Sequence, residues 1–440
     1  MGINVTDHGV QGNGTADDGI AIEKLLNNTS LVPEGSVVYF PPGNYKIETT
    51  ISIDRGHITM LGTDGAVLTY TGPGECLVKT TWGHITFEAL TFKGAGINTS
   101  TTGASNITIQ HCMFNDMADN PSCLACDGSG YKILHNQFIN KGLGQNGGLH
   151  FYNVSDLRVE NNCFDFVKQP FGYVCNIEQG TPHNSDNIKI IGNYAKNISR
   201  VGIELINPTG NATPNPITGL EIKDNHLEDW HEFHWEMNWT EQMGISVSFE
   251  GVGAVISGNT LKWGDITHAR HCWGIEICTY DALIENNYVE GFREGISTSH
   301  SRNNIYRNNV LKNIHDIGIT NYDWTDGEIG LGARFDGCEY EGNKLINIGK
   351  TGITGTWDRT MGTNPMIIRN NTIFRTPGHF PDDANEEFVG IDVNSKPIDV
   401  IGNTIHFEKA PGSFSAKSMR YVAIKTDDVP QISGNKVINF

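Results

Sequence analysis

The sequence predicts an all-β chain wound as a right-handed parallel β-helix solenoid with a short N-terminal capping helix. Two recurring phrases and the composition predict it. The phrase apolar-x-x-Asn-x-apolar recurs along most of the 440 residues, and a second phrase, Gly-Ile-x-apolar, falls between its copies. Charged residues are only 18% and glycines number 51, whereas helix surfaces need many Lys, Glu and Arg. A hydrophobic fraction of 38% with 9% aromatics supports a folded core rather than disorder.

The first phrase reads Ile133-Leu-His-Asn136-Gln-Phe138 and then Val159-Glu-Asn-Asn162-Cys-Phe164. Its anchors continue at Asn193, Asn225, Asn259, Asn287, Asn308, Asn343, Asn371, Asn403 and Asn435, with Cys112 in the Asn place of an earlier copy. Steps between anchors run from 21 to 35 residues. The second phrase appears as Gly202-Ile-Glu-Leu205, Gly244-Ile-Ser-Val247, Gly274-Ile-Glu-Ile277 and Gly390-Ile-Asp-Val393, with shorter copies at Gly318 and Gly352. Each repeat therefore holds short alternating strands between turn residues, with no helical period. So short a repeat cannot bury its own apolar face and must stack on its neighbours. One repeat per coil of a β-helix achieves this. The anchor Asn is expected at a bend, in the left-handed region, with its amide stacked on the coils above and below. Propellers and sandwiches need hairpin turns, or repeats of roughly 40–50 residues, and the sequence offers neither.

Residues 1–50 are expected to form a cap and 51–440 one continuous β-helix. The run from Asn4 to Asp18 is rich in turn residues and ends in an N-cap signal; Ile20, Ile22, Leu25 and Leu26 then mark a short amphipathic helix. Val37 to Tyr45 reads as a strand ended by Pro41 and Pro42. A helix over the open end of the coil stack shields its edge from other chains. At the other end the repeat runs almost to Phe440, and the uncovered coil there predicts either subunit contacts or a truncated chain.

The chain carries 31 Lys+Arg against 50 Asp+Glu, a formal charge of −19. That balance argues against nucleic acid and anionic membranes as partners, since both need a basic patch. No stretch approaches the ~20 apolar residues of a membrane span, and no signal peptide is visible at Met1-Gly2-Ile3. Nine cysteines are too sparse for a disulfide framework. Cys123 and Cys126 form a lone C-x-x-C without the second pair that a zinc site needs, so no metal is expected.

The run Asn4-Val-Thr-Asp-His-Gly-Val-Gln-Gly-Asn-Gly, with Asp17, Asp18 and Ile22, then Val38-Tyr-Phe-Pro-Pro-Gly-Asn-Tyr45, resembles the opening of pectate-lyase-superfamily domains. That superfamily includes phage tailspike depolymerases, polygalacturonase-like hydrolases, lyases and epimerases. The resemblance implies an enzyme acting on a carbohydrate polymer, extracellular or virion-associated, and assembled as a homo-oligomer, a trimer. The Tyr-Gly-x-Asp-Pro-His run of alginate-epimerase-like relatives is missing.

Aligning the Gly-Ile phrases gives the residue that follows Ile and should point outward. The column reads His150, Val174, Glu204, Ser246, Glu276, Ser297, Thr320, Thr354, Asp392 and Lys425, and the next outward column begins Tyr152, Asn176, Ile206, Ser248. Glu204 and Glu276 fall two coils apart, roughly 9–10 Å. Inverting glycosidases hold two carboxyl groups about 6.5–9.5 Å apart, one protonated and one ionised. Glu241 is a further candidate acid. The insertion from His226 to Glu241 carries Trp230, Trp235 and Trp239 among His and carboxylates, a composition suited to sugar rings, which have apolar faces and polar edges. His150, Arg270, His271, Trp273, Asp281, His300 and Tyr322 complete the expected substrate contacts. The expected function is an endo-acting glycoside hydrolase with a polysaccharide or oligosaccharide substrate and no cofactor. One alternative is a polysaccharide lyase or uronate epimerase, in which calcium or Arg and Lys would neutralise the substrate carboxylate. The other is a non-catalytic glycan-binding adhesin.

Overall fold

The computed structural model describes residues 2–99, 104–117, 123–139, 147–166, 172–178, 185–206, 217–230, 241–248, 251–264, 271–298, 301–321, 337–355, 364–376, 387–393, 398–407, 420–426 and 431–439. They fall into two compact units, Met1–Pro208 and Thr209–Phe440. Each is a right-handed parallel β-helix in which a coil gives one strand to each of three sheets.

In the first unit, the first sheet stacks eight described strands from Ile3–Asn4 to Ile188–Ile191, and the second stacks eight from Asn13–Asp17 to Tyr194–Lys196. The third stacks seven, from Ile51–Ile53 to Val201–Ile206. Alternation sets which side chains enter the core: in Ile107–Gln110 the two isoleucines are buried while Thr108 and Gln110 are half-buried. Parallel pairing then places like on like, so Phe92, Phe114, Phe138 and Phe164 form one stack with centroids 5.0, 4.9 and 4.5 Å apart.

The recurring asparagines form a buried ladder. In this unit the Asn136 N–H donates to Asn162 Oδ1 at 2.9 Å and the Asn162 N–H to Asn193 Oδ1 at 3.0 Å. Each side-chain amide also reaches back one coil, Asn136 Nδ2 to the Ile109 carbonyl at 2.9 Å and Asn162 Nδ2 to that of Ile133 at 2.8 Å. A buried amide with every polar atom engaged carries no desolvation penalty and fixes the coil spacing. Cys112, at the foot of the ladder, lacks the amide but turns its thiol to the Phe87 carbonyl at 3.5 Å; burial pushes that thiol up to about 12.

The helix Gly19–Leu26 covers the first coil. Ile22, Leu25 and Leu26 are buried, but Ile20 is 53% exposed, so it is not part of the expected apolar face. Polar helix residues close the free edge of the third sheet: Glu23 Oε2 accepts the Ser52 N–H at 2.8 Å, and Asn27 Nδ2 donates to the Ser52 carbonyl at 2.8 Å. Asp18 occupies the N-cap position without capping. Its carboxylate instead accepts the Gln11 and Gly12 N–H groups at 2.7 and 2.9 Å. The segment read as turn residues contains a strand, Asn13–Asp17, which opens the second sheet.

In the second unit, eight described strands from Glu221–Lys223 to Gln431–Ser433 form the first sheet and eight from His226–Glu228 to Lys436–Asn439 the second. Seven from Glu241–Ser248 to Arg420–Thr426 form the third, and Ile217–Thr218 pairs separately with Gly251–Val252. The ladder here joins Asn225, Asn259, Asn287, Asn309, Asn343, Asn371, Asn403 and Asn435.

Two details of the expected ladder are corrected. The left-handed residue is the one before the anchor, as at His135, Asn161, Asp224, Asn286 and Asn370, with φ of 54–56°. The anchor itself must turn inward to reach the next coil, so the bend falls on its exposed neighbour. At the Asn308-Asn309 doublet the anchor is Asn309, while Asn308 is exposed with φ 54°. The sequence offered two frames one residue apart, and such a slip exchanges the faces of a strand; Tyr306 and Leu311 are buried, and Ile305 and Val310 lie outside the core.

Candidate active site

In the first unit, the third-sheet strands Gly147–Tyr152, Gly172–Glu178 and Val201–Ile206 align His150 with Asn176 and Asn176 with Glu204. A register shift near Gly147 and Leu149 puts Asn176, not Val174, in the outward column. Glu178 therefore takes the place expected for Asn176, between Tyr152 and Ile206. Glu204 is 6% exposed. Arg200 holds it as a fork, Nη1 to Oε2 at 3.0 Å and Nη2 to Oε1 at 3.1 Å, and Asn176 Nδ2 donates to Oε2 at 3.0 Å. That arrangement binds a carboxylate anion. His150 Nε2 lies 3.1 Å from Glu178 Oε1. This contact first, and the charge of Arg200 further off, hold the Glu178 carboxyl below its usual value against the opposing effect of burial.

In the second unit, the strands Glu241–Ser248, His271–Ile277, Glu294–Thr298 and Ile317–Asn321 align Ser246, Glu276, Ser297 and Thr320 in consecutive coils. Ile245, Ile275, Ile296 and Ile319 point inward and are fully buried. The glycine before each Ile lets the strand press on the second sheet: a Cβ at Gly274 would lie 2.3 Å from Val289 Cγ1 and 2.6 Å from the Gly295 carbonyl oxygen. The outward column is itself buried, Glu276 to 6% exposure and Ser297 to 0%. Glu276 Oε2 accepts the hydroxyls of Ser246 at 2.7 Å and Ser248 at 3.3 Å. The Ser297 hydroxyl has no hydrogen-bond partner among the described residues, an exception that calls for an explanation in a buried polar group.

Glu294 lies opposite Trp273 in the register yet reaches the same outward column, where the Thr320 hydroxyl donates to its Oε2 at 2.9 Å. Burial first, and then the nearby Asp316 charge, push the Glu294 carboxyl up; the Thr320 hydroxyl, Arg293 and the Trp273 indole N–H oppose that rise without cancelling it. Burial would raise Asp316 as well, but it is gripped by Arg293 Nε at 2.5 Å, Lys350 Nζ at 3.1 Å and His315 Nδ1 at 3.4 Å. Those partners hold its carboxyl well below the ordinary range. Two neighbouring carboxyl groups are thus driven in opposite directions, Glu294 up and Asp316 down.

Several expected substrate contacts are corrected. Trp230 is 2% exposed and packs on Trp263 and Phe292 with centroids 5.7 and 5.2 Å away; it is core, because its position on the coil points inward. Trp273 is only 9% exposed, and its indole serves the Glu294 carboxyl rather than offering an open face. Asp281 sits at the following bend with φ 51° and its Oδ1 accepts Asn303 Nδ2 at 3.0 Å, off the strand face. The backbones of Glu241 and His271 pair in adjacent strands; their side chains, and Trp235, Trp239, Arg270, His300 and Tyr322, lie outside the described residues. Glu294, Ser297's unmet hydroxyl, Glu178 and the Arg200 fork were not foreseen as functional. A signal for Glu294 existed: it precedes the glycine of the phrase, as Trp273 does, while only the residue after Ile was read.

Among the described residues no three His, Cys, Asp or Glu side chains converge to hold a metal ion. Cys123 and Cys126 share one strand, and the Cys126 side chain lies outside the described residues. Cys123 is buried, its thiol pushed up to about 12.

Solved structures share this fold. A tailspike protein of E. coli bacteriophage HK620 in complex with a pentasaccharide aligns over 98% of this chain and 78% of its own, with 10% identity and a TM-score of 0.58. A PL6 alginate lyase in complex with a trisaccharide aligns over 98% and 88%, with 14% identity and a TM-score of 0.52. PfbA, a surface adhesin of Streptococcus pneumoniae, aligns over 100% and 93%, with 13% identity and a TM-score of 0.47. No curated protein matches the chain by sequence. The protein is a carbohydrate-active β-helix of the pectate-lyase superfamily, as the opening motif implied. Residues 2–240 match the family described as rhamnogalacturonase A/epimerase, pectate lyase-like, and the chain belongs to it.

Proposed function

We propose that the protein is a glycoside hydrolase that cleaves a polysaccharide within the chain, with Glu294 as general acid and Glu276 as general base. The single observation that carries the reading is the desolvated Glu294 carboxyl, raised and donor-lined, in the same buried outward column as the serine-held Glu276. Glu276 and Glu294 stand in adjacent coils, Glu276 held by the hydroxyls of Ser246 and Ser248 in the coil before and Glu294 by that of Thr320 in the coil after. In the reaction, the proton of Glu294 passes to the glycosidic oxygen as the bond from the anomeric carbon breaks and its electron pair stays on that oxygen. A water attacks the opposite face and gives its proton to Glu276; exchange with solvent restores both groups.

The sequence pairs Glu204 with Glu276. The acid's role is given instead to Glu294, because the Arg200 fork and Asn176 already occupy both carboxylate oxygens of Glu204. The same reading places the protein outside the cell or on a virion, acting as a homo-oligomer, a trimer, without a cofactor.

The test is incubation with a panel of neutral and acidic polysaccharides, with products followed by mass spectrometry, ultraviolet absorbance and NMR of the new reducing end. Expected are saturated oligosaccharides of inverted configuration, and a loss of about 10²–10⁴-fold in rate for Glu294→Gln and for Glu276→Gln. Products absorbing in the ultraviolet would assign a lyase, and no product from any polymer would assign a glycan-binding protein.

A further inference from the structure

The first unit carries a groove of about 470 Å³ at the bend that joins the third sheet to the first. Trp82, between the strands Val78–Thr80 and Ile85–Glu88, stands on its rim and is 52% exposed. It is the one aromatic among the large hydrophobic residues exposed in the described part of the chain. Thr29 and Glu34 line the groove from the segment after the capping helix, and Arg55, His57 and His84 line it from the coils.

Three features distinguish the groove from an ordinary bend. Gly56-His57-Ile58-Thr59 recurs one coil later as Gly83-His84-Ile85-Thr86, and the two imidazoles stack with centroids 4.4 Å apart and planes at 9°. Both histidines are left-handed, with φ of 58° and 57°, at a bend where other coils of the unit place Asn106, Asp156 and Asn187. The bend therefore requires no imidazole. A Cβ at Gly56 would lie 2.3 Å from the Gly83 carbonyl oxygen, and one at Gly83 would lie 2.2 Å from that of Ser105; the backbone here stays bare. Finally, Arg55 spends Nη1 on the Val32 carbonyl, while its buried Nε has no hydrogen-bond partner among the described residues.

We infer that this groove binds one pyranose residue of a polysaccharide, away from the third-sheet columns. An indole face takes the apolar C–H face of a sugar ring, and the imidazole and guanidinium groups take its hydroxyls. A volume near 470 Å³ falls in the range of about 300–1,000 Å³ typical of small-ligand sites. The net charge of −19 opposes a nucleic acid as the stacking partner. The site anchors a polymer while another segment of it is worked on. The inference rests on the family's carbohydrate activity and is independent of the hydrolytic assignment.

The test is affinity electrophoresis of the full chain through native gels cast with dextran, galactomannan or polygalacturonate, comparing the parent with Trp82→Ala, His57→Ala/His84→Ala and Glu294→Gln. At least one polymer is expected to retard the parent and Glu294→Gln alike. Trp82→Ala is expected to lose tenfold or more in affinity with an unchanged melting temperature, and the double histidine variant to be intermediate. Retardation by a neutral polymer assigns a hydroxyl-recognising site; retardation by polygalacturonate alone assigns a carboxylate bound at Arg55. Equal retardation of Trp82→Ala and the parent overturns the inference, as does free migration of the parent in all three gels. If the parent binds through Trp82 but cleaves nothing, the hydrolytic reading fails and the groove stands.

Discussion

Replacing Asn309 by alanine removes a side chain that makes four hydrogen bonds inside the second unit. Its Nδ2 donates to the Ile284 carbonyl at 2.9 Å and to Asn343 Oδ1 at 3.0 Å, and its Oδ1 accepts the N–H and Nδ2 of Asn287, each at 3.0 Å. Asn309 is fully buried, so water does not replace what is lost. At about 1 kcal/mol for each net bond the loss is about 4 kcal/mol, before any added penalty for the partners left unmet. Asn308, one residue earlier, is exposed and left-handed with φ 54°, and Asn308→Gly should change stability by less than about 1 kcal/mol, since glycine adopts that conformation freely. Urea denaturation of both variants, with hydrogen exchange at the amides of Asn287 and Asn343, measures the difference. An Asn309→Ala variant within 1 kcal/mol of the parent, or an Asn308→Gly variant the more damaged of the two, would falsify the ladder's register and the energetic role assigned to it.

Three further outcomes are expected. Trp230→Ala should cost about 3–5 kcal/mol through the cavity left beside Trp263 and Phe292 and leave polysaccharide affinity unchanged where the fold survives; lost affinity at full stability would restore Trp230 as a sugar platform. Because the folded-state carboxyl of Asp316 is depressed, its contribution is complete above its unfolded value near 3.8 and fades as pH falls below that. Urea midpoints from pH 6 to pH 2 should therefore drop less steeply in Asp316→Asn than in the parent, and identical slopes would refute the ion cluster. Glu294 must be protonated to act, so activity should decline as pH rises through its raised value. A parent enzyme whose kcat stays flat on the alkaline side, with Arg293, Asp316, Trp273 and Thr320 intact around Glu294, would exclude it as the acid.

The coil was legible because interior positions repeat. Asn136, Asn162 and Asn193 do the same task three times, and Ile245, Ile275, Ile296 and Ile319 fill equivalent inward positions, so spacing alone revealed a stacked fold. The capping helix was legible from its apolar face and the N-terminal motif, although Ile20 shows that a four-residue count does not fix which side is buried. What failed was register. At Asn308-Asn309 two frames fit the pattern equally, and near Gly147 an irregularity moved Val174 out of its column and Asn176 into it. Both are single-residue slips that no local preference resolves. Trp230 failed for a related reason: a tryptophan beside His and Glu in sequence reads as an amphipathic loop, but the inward corner of the coil claims it for the core.

The chemistry was less legible because it occupies the positions that vary. Ser246, Glu276, Ser297 and Thr320 stand in one column, behind an inward column that is isoleucine throughout. The fold constrains the second column and leaves the first free. Burial then removes that freedom, since a polar group shielded from water must find a partner. Glu276 finds two serines and Glu294 a threonine and an indole, while the Ser297 hydroxyl, paired in register with Glu276, finds none among the described residues. A solenoid stabilised by a satisfied asparagine ladder can leave such a buried hydroxyl unmet without losing its coil spacing. The proposed sugar site in the second unit's third sheet rests on that group together with the carboxyl groups of Glu276 and Glu294 in adjacent coils.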